Sequence, residues 1–159
     1  MSVLTNGPVT LPEVTGRILL AADEASLDSL LGVVAALPDT ARGQVFVEVG
    51  SADDIVSVET PELVSVAWLT RESRSGNPGT SRRCAHGQAL ERAVRAWVSE
   101  MTTGDPDFDG GELTVWIDGA GTRVYELRQE LIAQLGSKPT TAVQQDAGRQ
   151  PASTPGRSA

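Results

Sequence analysis

Cysteine and histidine are almost absent from this sequence, which has one of each, Cys84 and His86. A single thiol excludes an internal disulfide and a zinc site built from several cysteines. A single imidazole excludes a metal site made of several histidines, so we predict no metal. The two residues are two positions apart, and on a helix such side chains do not face each other. We therefore predict a catalytic role for neither.

Positive charge and aromatic side chains are also scarce. The chain has 13 Lys and Arg against 21 Asp and Glu, a net charge of -8, and only 4% aromatic residues. Such an acidic surface repels phosphate backbones and anionic lipids, and it offers no stacking platform for single-stranded nucleic acid. We therefore expect no nucleic-acid or membrane partner. The tryptophans Trp68, Trp97 and Trp116 lie in apolar patterns, so we expect them in the core.

Long apolar runs are missing as well, because acidic residues interrupt the longest candidate for a membrane span. The first residues, MSVLTNGPVTLPEVTG, lack the basic start and apolar run of a secretory signal. We therefore expect a cytoplasmic protein.

The apolar residues that are present form four strand-like runs and three helical stripes. The runs predict strands at 17–22, 44–50, 63–70 and 112–119, and the stripes predict helices near 27–37, 90–101 and 124–135. Strands alternating with helices predict an α/β fold with an open, mainly parallel four-stranded sheet in the order 3-2-1-4 and helices on both faces. Residues 1–15 read as a flexible lead-in, 16–136 as the domain, and 137–159 as a disordered, polar tail.

The order of these strands reverses beside the first strand, and ligands of such sheets bind there, at the carboxyl ends of the strands. This rule selects the turn Asp23–Ser26, the corner Thr70–Arg71 and the turn Asp118–Gly121. The first turn has two readings. Asp23 could simply cap a helix, or the turn could form the floor of a ligand crevice. In either case its carboxylates would repel a pyrophosphate, which binds bare N–H groups and glycine.

Four segments resemble the carboxyl-terminal domain of siderophore-interacting proteins, which are flavin-linked ferric-siderophore reductases related to ferredoxin–NADP reductases. The segments are RILLAADEASLDSLL, ARGQVFVEVGSADD, VSVAWLTRESRSGNPGTS and VWIDGAGTRVYELRQEL. The resemblance covers about 16–135 and implies a domain like the NADP-binding domain of ferredoxin reductases, with NADPH or NADH as cofactor. The cofactor-binding residues it implies are Asp23, Glu24, Ala25, Ser26, Thr70, Arg71, Arg74, Thr80, Ser81, Asp118, Gly119, Ala120 and Gly121.

The resemblance gives the corner and the loop after the third strand a specific role. In related reductases a hydroxyl and an arginine at this corner grip the adenosine 2′-phosphate, which here implies Thr70 and Arg71. Arg74, Arg82 and Arg83 make the following loop the basic patch of an acidic chain. The alternative is a solvated loop whose arginines pair with surface acids. Thr80 or Ser81 is expected to cap the second helix and to contact the cofactor or substrate.

The sequence also departs from the family. We expect no flavin-binding barrel before the first strand and no aromatic closing strand after the last helix, and Ala120 stands where the family has an acidic residue. We therefore expect a standalone, truncated domain that binds NAD(P)H but no flavin by itself. It would take part in ferric-siderophore reduction or iron acquisition with a flavin-binding protein in trans, and it would not be an autonomous enzyme. The alternative is a non-catalytic binding or regulatory module that has lost the cofactor.

Overall fold

A single parallel sheet with helices on both faces makes up the computed structural model, which describes residues 16–102, 113–135 and 141–143. The strands are β1 (Arg17–Asp23), β2 (Arg42–Val49), β3 (Leu63–Thr70), β4 (Leu113–Asp118) and β5 (Thr141–Val143). The helices are α1 (Leu27–Ala35), α2 (Gln88–Thr102) and α3 (Thr122–Leu135).

The spatial order of the strands is β3-β2-β1-β4-β5, and every neighbouring pair is parallel. The predicted 3-2-1-4 sheet is therefore confirmed. None of the helices in the described part of the chain has the length and hydropathy of a membrane-spanning segment.

The structure adds β5, which pairs with β4 from Leu113↔Thr141 to Val115↔Val143. This strand lies within the segment 137–159, so the prediction of disorder is wrong at these three residues. The edge of β4 supplies free backbone donors and acceptors that a short polar segment can use without a large apolar surface. The remaining residues of that segment, and the predicted lead-in 1–15, lie outside the described residues.

The alternation of side chains along β1 divides the core between the two faces of the sheet. Ile18 and Leu20 belong to the cluster that includes the buried side chains of α1. Leu19 and Ala21 belong to the other cluster, which includes buried side chains of α2 and α3. A strand covered on both faces needs an unbroken apolar run, which is the pattern that identified β1 in the sequence. The prediction of helices on both faces is therefore confirmed.

The second helix begins later than the sequence indicates. It starts at Gln88, so neither Thr80 nor Ser81 caps it, and that prediction is wrong. Residues 71–87 instead form a loop that folds back on itself through an antiparallel bridge between Ser75 and Arg83. The carboxylate of Glu48, on β2, accepts backbone N–H groups at the start of α2. Local sequence patterns for helix caps do not reveal such a long-range contact.

Candidate functional site

The carboxyl ends of β1 to β4 lie along one edge of the sheet, and the strand order reverses there beside β1. We call the residues at this edge the strand-end site. Its members are Asp23–Ser26, Glu48, Thr70–Arg71, His86 and Asp118–Gly121. Their side chains and backbone groups are joined by hydrogen bonds and ion pairs. In the part of the chain that the structure describes, no group of three or more His, Cys, Asp or Glu side chains is placed to hold a metal ion.

Asp23, the last residue of β1, is completely buried and connects three parts of the site. Its Oδ1 accepts a hydrogen bond from the Ala25 N–H at 3.0 Å, so Asp23 caps the single 3₁₀ turn Glu24–Ser26. Its Oδ2 accepts the Ala120 N–H at 2.9 Å and lies 2.9 Å from Nε2 of His86. The helix-cap reading of Asp23 is thus confirmed, and the same carboxylate fixes the turn after β4.

His86 lies before α2, so the expectation that it sits on a helix with Cys84 is wrong. Its Nε2 carries the proton in this arrangement, because the Asp23 carboxylate is the acceptor. In the neutral ring Nδ1 then carries a lone pair beside Gly121, where an added Cβ would stand 3.4 Å from Nδ1. Sequence reasoning missed this pair because 63 residues separate His86 from Asp23. The presence of a single histidine was not a sufficient signal.

Gly119 is required by the packing of Asp23. A Cβ at position 119 would stand 2.7 Å from Oδ2 of Asp23 and 3.0 Å from Cγ1 of Val124. The close packing against Asp23 therefore explains why position 119 is a glycine. Among the described residues, a Cβ at position 121 would contact the exposed ring of His86, at an ordinary van der Waals distance.

Glu48, on β2, is a member of the strand-end site that the sequence analysis did not identify. Its side chain is completely buried, and its Oε1 accepts the Gly87 N–H at 2.6 Å while its Oε2 accepts the Leu90 N–H at 2.8 Å. Glu48 therefore caps the first turn of α2 from β2. Its negative charge also complements the dipole of the helix at this end. An acidic residue inside an otherwise apolar strand of a parallel sheet was the signal that could have revealed it.

Arg71 joins two carboxylates across the end of the sheet. Its Nη1 donates to Oε2 of Glu24 at 2.9 Å and to Oε1 of Glu48 at 3.1 Å, and its Nη2 pairs with Oε1 of Glu24. The hydrogen bonds to Glu24 have the largest effect and raise the pKa of Arg71; burial opposes them, and the hydrogen bond to Glu48 raises the pKa further. The hydrogen bond from Arg71 lowers the pKa of Glu24 below its usual value. The guanidinium expected to grip a 2′-phosphate is thus engaged by acids of its own chain.

The other predicted residues divide between two places. Thr70 shares a hydrogen bond with the Ser73 hydroxyl, and Oδ1 of Asp118 accepts the Gly119 N–H at 2.9 Å. Arg74, Thr80 and Ser81 instead line a concavity on the loop after β3. The structure therefore brings together the predicted residues of the three strand-end turns and places these three loop residues in a separate surface feature.

The chemistry of the site is set by carboxylates at the beginnings of the helical segments. Asp23 takes the N–H of Ala25, and Glu48 takes the N–H groups of Gly87 and Leu90. These are positions where a phosphate would otherwise bind. The site keeps hydrogen-bond acceptors in the half-exposed Glu24 carboxylate and in Nδ1 of His86. Hydroxyl and amide groups of a ligand suit these acceptors better than a pyrophosphate does.

The topology and this edge define an open parallel α/β domain of the type that binds ligands where the strand order reverses. The family model for "Siderophore-interacting protein" matches residues 15–145. The chain belongs to the siderophore-interacting protein family.

The chain is also similar to parts of curated proteins and of a solved structure. An uncharacterized protein of Mycobacterium tuberculosis is 32% identical over 81 residues, which are 50% of this chain and 29% of that protein. The ferric vibriobactin reductase ViuB of Vibrio cholerae is 28% identical over 72 residues, 45% of this chain and 27% of the reductase. A siderophore utilization protein from T. fusca has the same fold, with a TM-score of 0.52 at 20% identity over 88% of this chain and 48% of that one. The chain thus spans less than a third of these curated relatives and about half of the solved structure.

Proposed function

We propose that this domain binds NADPH or NADH at the strand-end site. We further propose that it contributes to the reduction of ferric siderophores for iron acquisition, together with a flavin-binding protein in trans. Membership of the siderophore-interacting family and similarity to a ferric vibriobactin reductase support the reaction class. The observation that carries the proposal is the meeting of the turns Asp23–Ser26, Thr70–Arg71 and Asp118–Gly121 where the strand order reverses.

The residues of the site fit the polar groups of such a cofactor. Glu24 and His86 offer acceptors for ribose hydroxyls or for the nicotinamide amide. Gly121 carries no side chain and its backbone lies beside the His86 ring, so a flat ring of a ligand can approach the turn there. When bound, the cofactor supplies a hydride for a flavin. The chain's own residues hold and orient the nicotinamide end of the cofactor. The carboxylates of Asp23 and Glu48 repel its phosphates from the helix starts.

Titration of the purified chain with NADH and NADPH tests this proposal through tryptophan fluorescence and melting temperature. The variant Gly121→Val places methyl groups beside His86 and should weaken binding of both nucleotides at least about tenfold, a loss of about 1.4 kcal/mol. Gly32→Val is the matched control, because a Cβ at Gly32, on α1, meets nothing within 4 Å. If millimolar concentrations of both nucleotides leave the wild-type signals unchanged, cofactor binding is refuted.

A specific observation also supports the second candidate, a non-catalytic binding or regulatory module. Asp23 and Glu48 already occupy the helix starts, and Arg71 is engaged by Glu24 and Glu48. This function predicts no response to either nucleotide and reproducible recovery of the same protein partner from iron-starved cells. Nucleotide binding that Gly121→Val abolishes would count against it.

A further inference from the structure

We propose that a phosphate group binds on the loop after β3, at a site formed by Arg74, Arg82 and Arg83, and not at Arg71. We call residues 72–83 the basic loop. The ligand class is a dianionic phosphate, either a phosphate monoester of a nucleotide or free phosphate. The existence of the site does not depend on cofactor binding at the strand ends, although the nucleotide as its source rests on the proposed function.

The first observation is the difference in pairing among the arginines. Arg71 and Arg95 each form ion pairs with two carboxylates, and Arg123 pairs with Glu91. Within the described ranges, the guanidinium groups of the basic loop have no carboxylate partner, and all three arginines are exposed. Unpaired guanidinium groups gathered on one loop of a chain with a net charge of -8 mark a local positive field.

The second observation is the shape of the surface between these arginines. The basic loop forms an open concavity of about 240 Å³ on the surface. Four hydroxyl side chains line it beside the three arginines, namely Ser73, Ser75, Thr80 and Ser81. One acid, Glu72, also lines it, and its Oε1 accepts the Ala52 N–H at 3.3 Å. Three guanidinium groups against one carboxylate leave a net charge of +2 at the concavity.

The third observation is that the backbone of the basic loop is held in place. The Gly76 N–H donates to the Arg82 carbonyl at 2.8 Å, and the Cys84 N–H donates to the Arg74 carbonyl at 3.0 Å. From α2, Arg92 donates to the carbonyls of Ser75 and Gly76 at 2.9 and 2.8 Å. A loop fixed in this way holds the backbone positions from which its arginines extend, so the loop itself does not have to be ordered when an anion binds.

The donors of the concavity favour phosphate over other anions. Guanidinium groups form paired hydrogen bonds with phosphate oxygens, and the hydroxyl groups of Ser75 and Ser81 add further donors. The hydroxyl groups of Ser73 and Thr80 already donate to the carbonyls of Thr70 and Asn77. The concavity is small and the rest of the chain is acidic, so a polyanion such as nucleic acid would be repelled outside it. Arg71 is a weaker candidate, because an incoming phosphate would have to displace Glu24 and would face the buried charge of Glu48.

The test follows the backbone amide signals of the isotope-labelled wild-type chain by NMR at low salt. Inorganic phosphate, 2′-AMP and 5′-AMP are the probes. We expect the largest shifts at Ser73–Ser75 and Thr80–Arg83, with little change at Gly50 and Arg71. Binding by all three probes identifies a general phosphate site, and a preference for 2′-AMP identifies the nucleotide phosphate as its source. No shifts in the basic loop with any probe would overturn the proposal.

Variants test the same assignment by affinity. Each of Arg74→Gln, Arg82→Gln and Arg83→Gln should weaken phosphate binding about tenfold, as expected for loss of hydrogen bonds between charged groups. Arg95→Gln is the matched control, since it removes one exposed guanidinium that is already paired. If Arg95→Gln weakens phosphate binding as much as the three loop variants do, the effect comes from the net charge of the chain, and the proposed site is refuted. If only Arg71→Gln loses phosphate binding, the phosphate binds at the corner Thr70–Arg71, and the proposal is refuted.

NADH separates this inference from the proposed function, because it lacks the 2′-phosphate. If the wild type and the three basic-loop variants bind NADH equally well, cofactor binding at the strand-end site is supported, independently of phosphate binding by the basic loop. If phosphate and 2′-AMP bind the loop but neither dinucleotide binds, the basic-loop site stands and the proposed function fails.

Discussion

The buried carboxylate of Glu48 accepts a hydrogen bond from the backbone N–H of Gly87 at 2.6 Å, so a side chain of β2 fixes the place where α2 begins. The second oxygen of the same carboxylate takes the Leu90 N–H. The helix start is thus neutralised by an internal anion and is not left open for a ligand. This relationship makes Glu48 a structural residue of the strand-end site.

Replacing Glu48 with Gln should destabilise the domain by about 3 kcal/mol, because the amide group would oppose N–H donors and leave Arg71 without its buried partner. Urea unfolding at pH 7 measures the loss. The control Glu59→Gln changes an exposed carboxylate, and its effect should stay within about 0.5 kcal/mol. A similar small effect for Glu48→Gln would show that the carboxylate is not needed to cap α2.

Two glycines of the turn after β4 should respond differently to alanine. Gly119→Ala forces a methyl group to 2.7 Å from Oδ2 of Asp23 and should cost about 1–3 kcal/mol of unfolding free energy. Gly121→Ala meets only ordinary contacts and should cost less than about 0.5 kcal/mol. Thermal and urea unfolding of the two variants provide the comparison. Equal costs would contradict the close packing of Gly119 on Asp23.

The ring of His86 should be in the tautomer with its proton on Nε2. The reason is that the Asp23 carboxylate, 2.9 Å from Nε2, is the acceptor and also receives the Ala120 N–H. Long-range ¹⁵N NMR of the neutral imidazole identifies the tautomer directly. In Asp23→Asn this preference should be lost, and the domain should lose about 2 kcal/mol of stability because the amide opposes the Ala120 N–H. A neutral ring protonated on Nδ1 in the wild type would contradict the described pair.

The ion pair between Glu24 and Arg71 should make stability depend on pH in the acid range. The pKa of Glu24 is lowered in the folded state from its usual 4.5. Its contribution is therefore fully present above that value and is lost as the pH falls through the lower, folded-state pKa. Because Glu24 is half-exposed, the contribution should be below about 1 kcal/mol.

The measurement is the difference in unfolding free energy between the wild type and Glu24→Gln, determined from pH 7 down to pH 3. This difference should be largest at neutral pH and shrink in acid. A difference that grows in acid would have the wrong sign for a carboxyl with a lowered pKa.

The sequence by itself indicated most of the sheet. The unbroken apolar run of β1 showed a strand covered on both faces, and β3 has the predicted bounds of 63–70. Strands alternating with helical stripes were enough for the order of the first four strands, because parallel crossovers allow few arrangements. The small turns at Asp23 and Asp118 were also visible, since each aspartate accepts a backbone N–H from one or two residues further on.

The pairs that give the site its character could not be predicted in this way. Glu48 caps a helix through residues far along the chain, and Asp23 meets His86 only after α2 has packed against the sheet. Arg71 looked like a free cation beside a ligand crevice, but Glu24 folds back onto it. Hydrogen-bond partners so far apart in sequence have no local pattern.

What the amino-acid order determined is the alternation of strands and helices, because periodic burial of apolar side chains is a local property of the chain. What only the tertiary structure decided is which charges remain available at the strand ends. The sheet brings β1, β2 and β3 side by side, so Asp23, Glu48 and Arg71 find internal partners. Among the residues that the structure describes, the arginines of the basic loop have no carboxylate partner, because the chain carries them away from the strand ends.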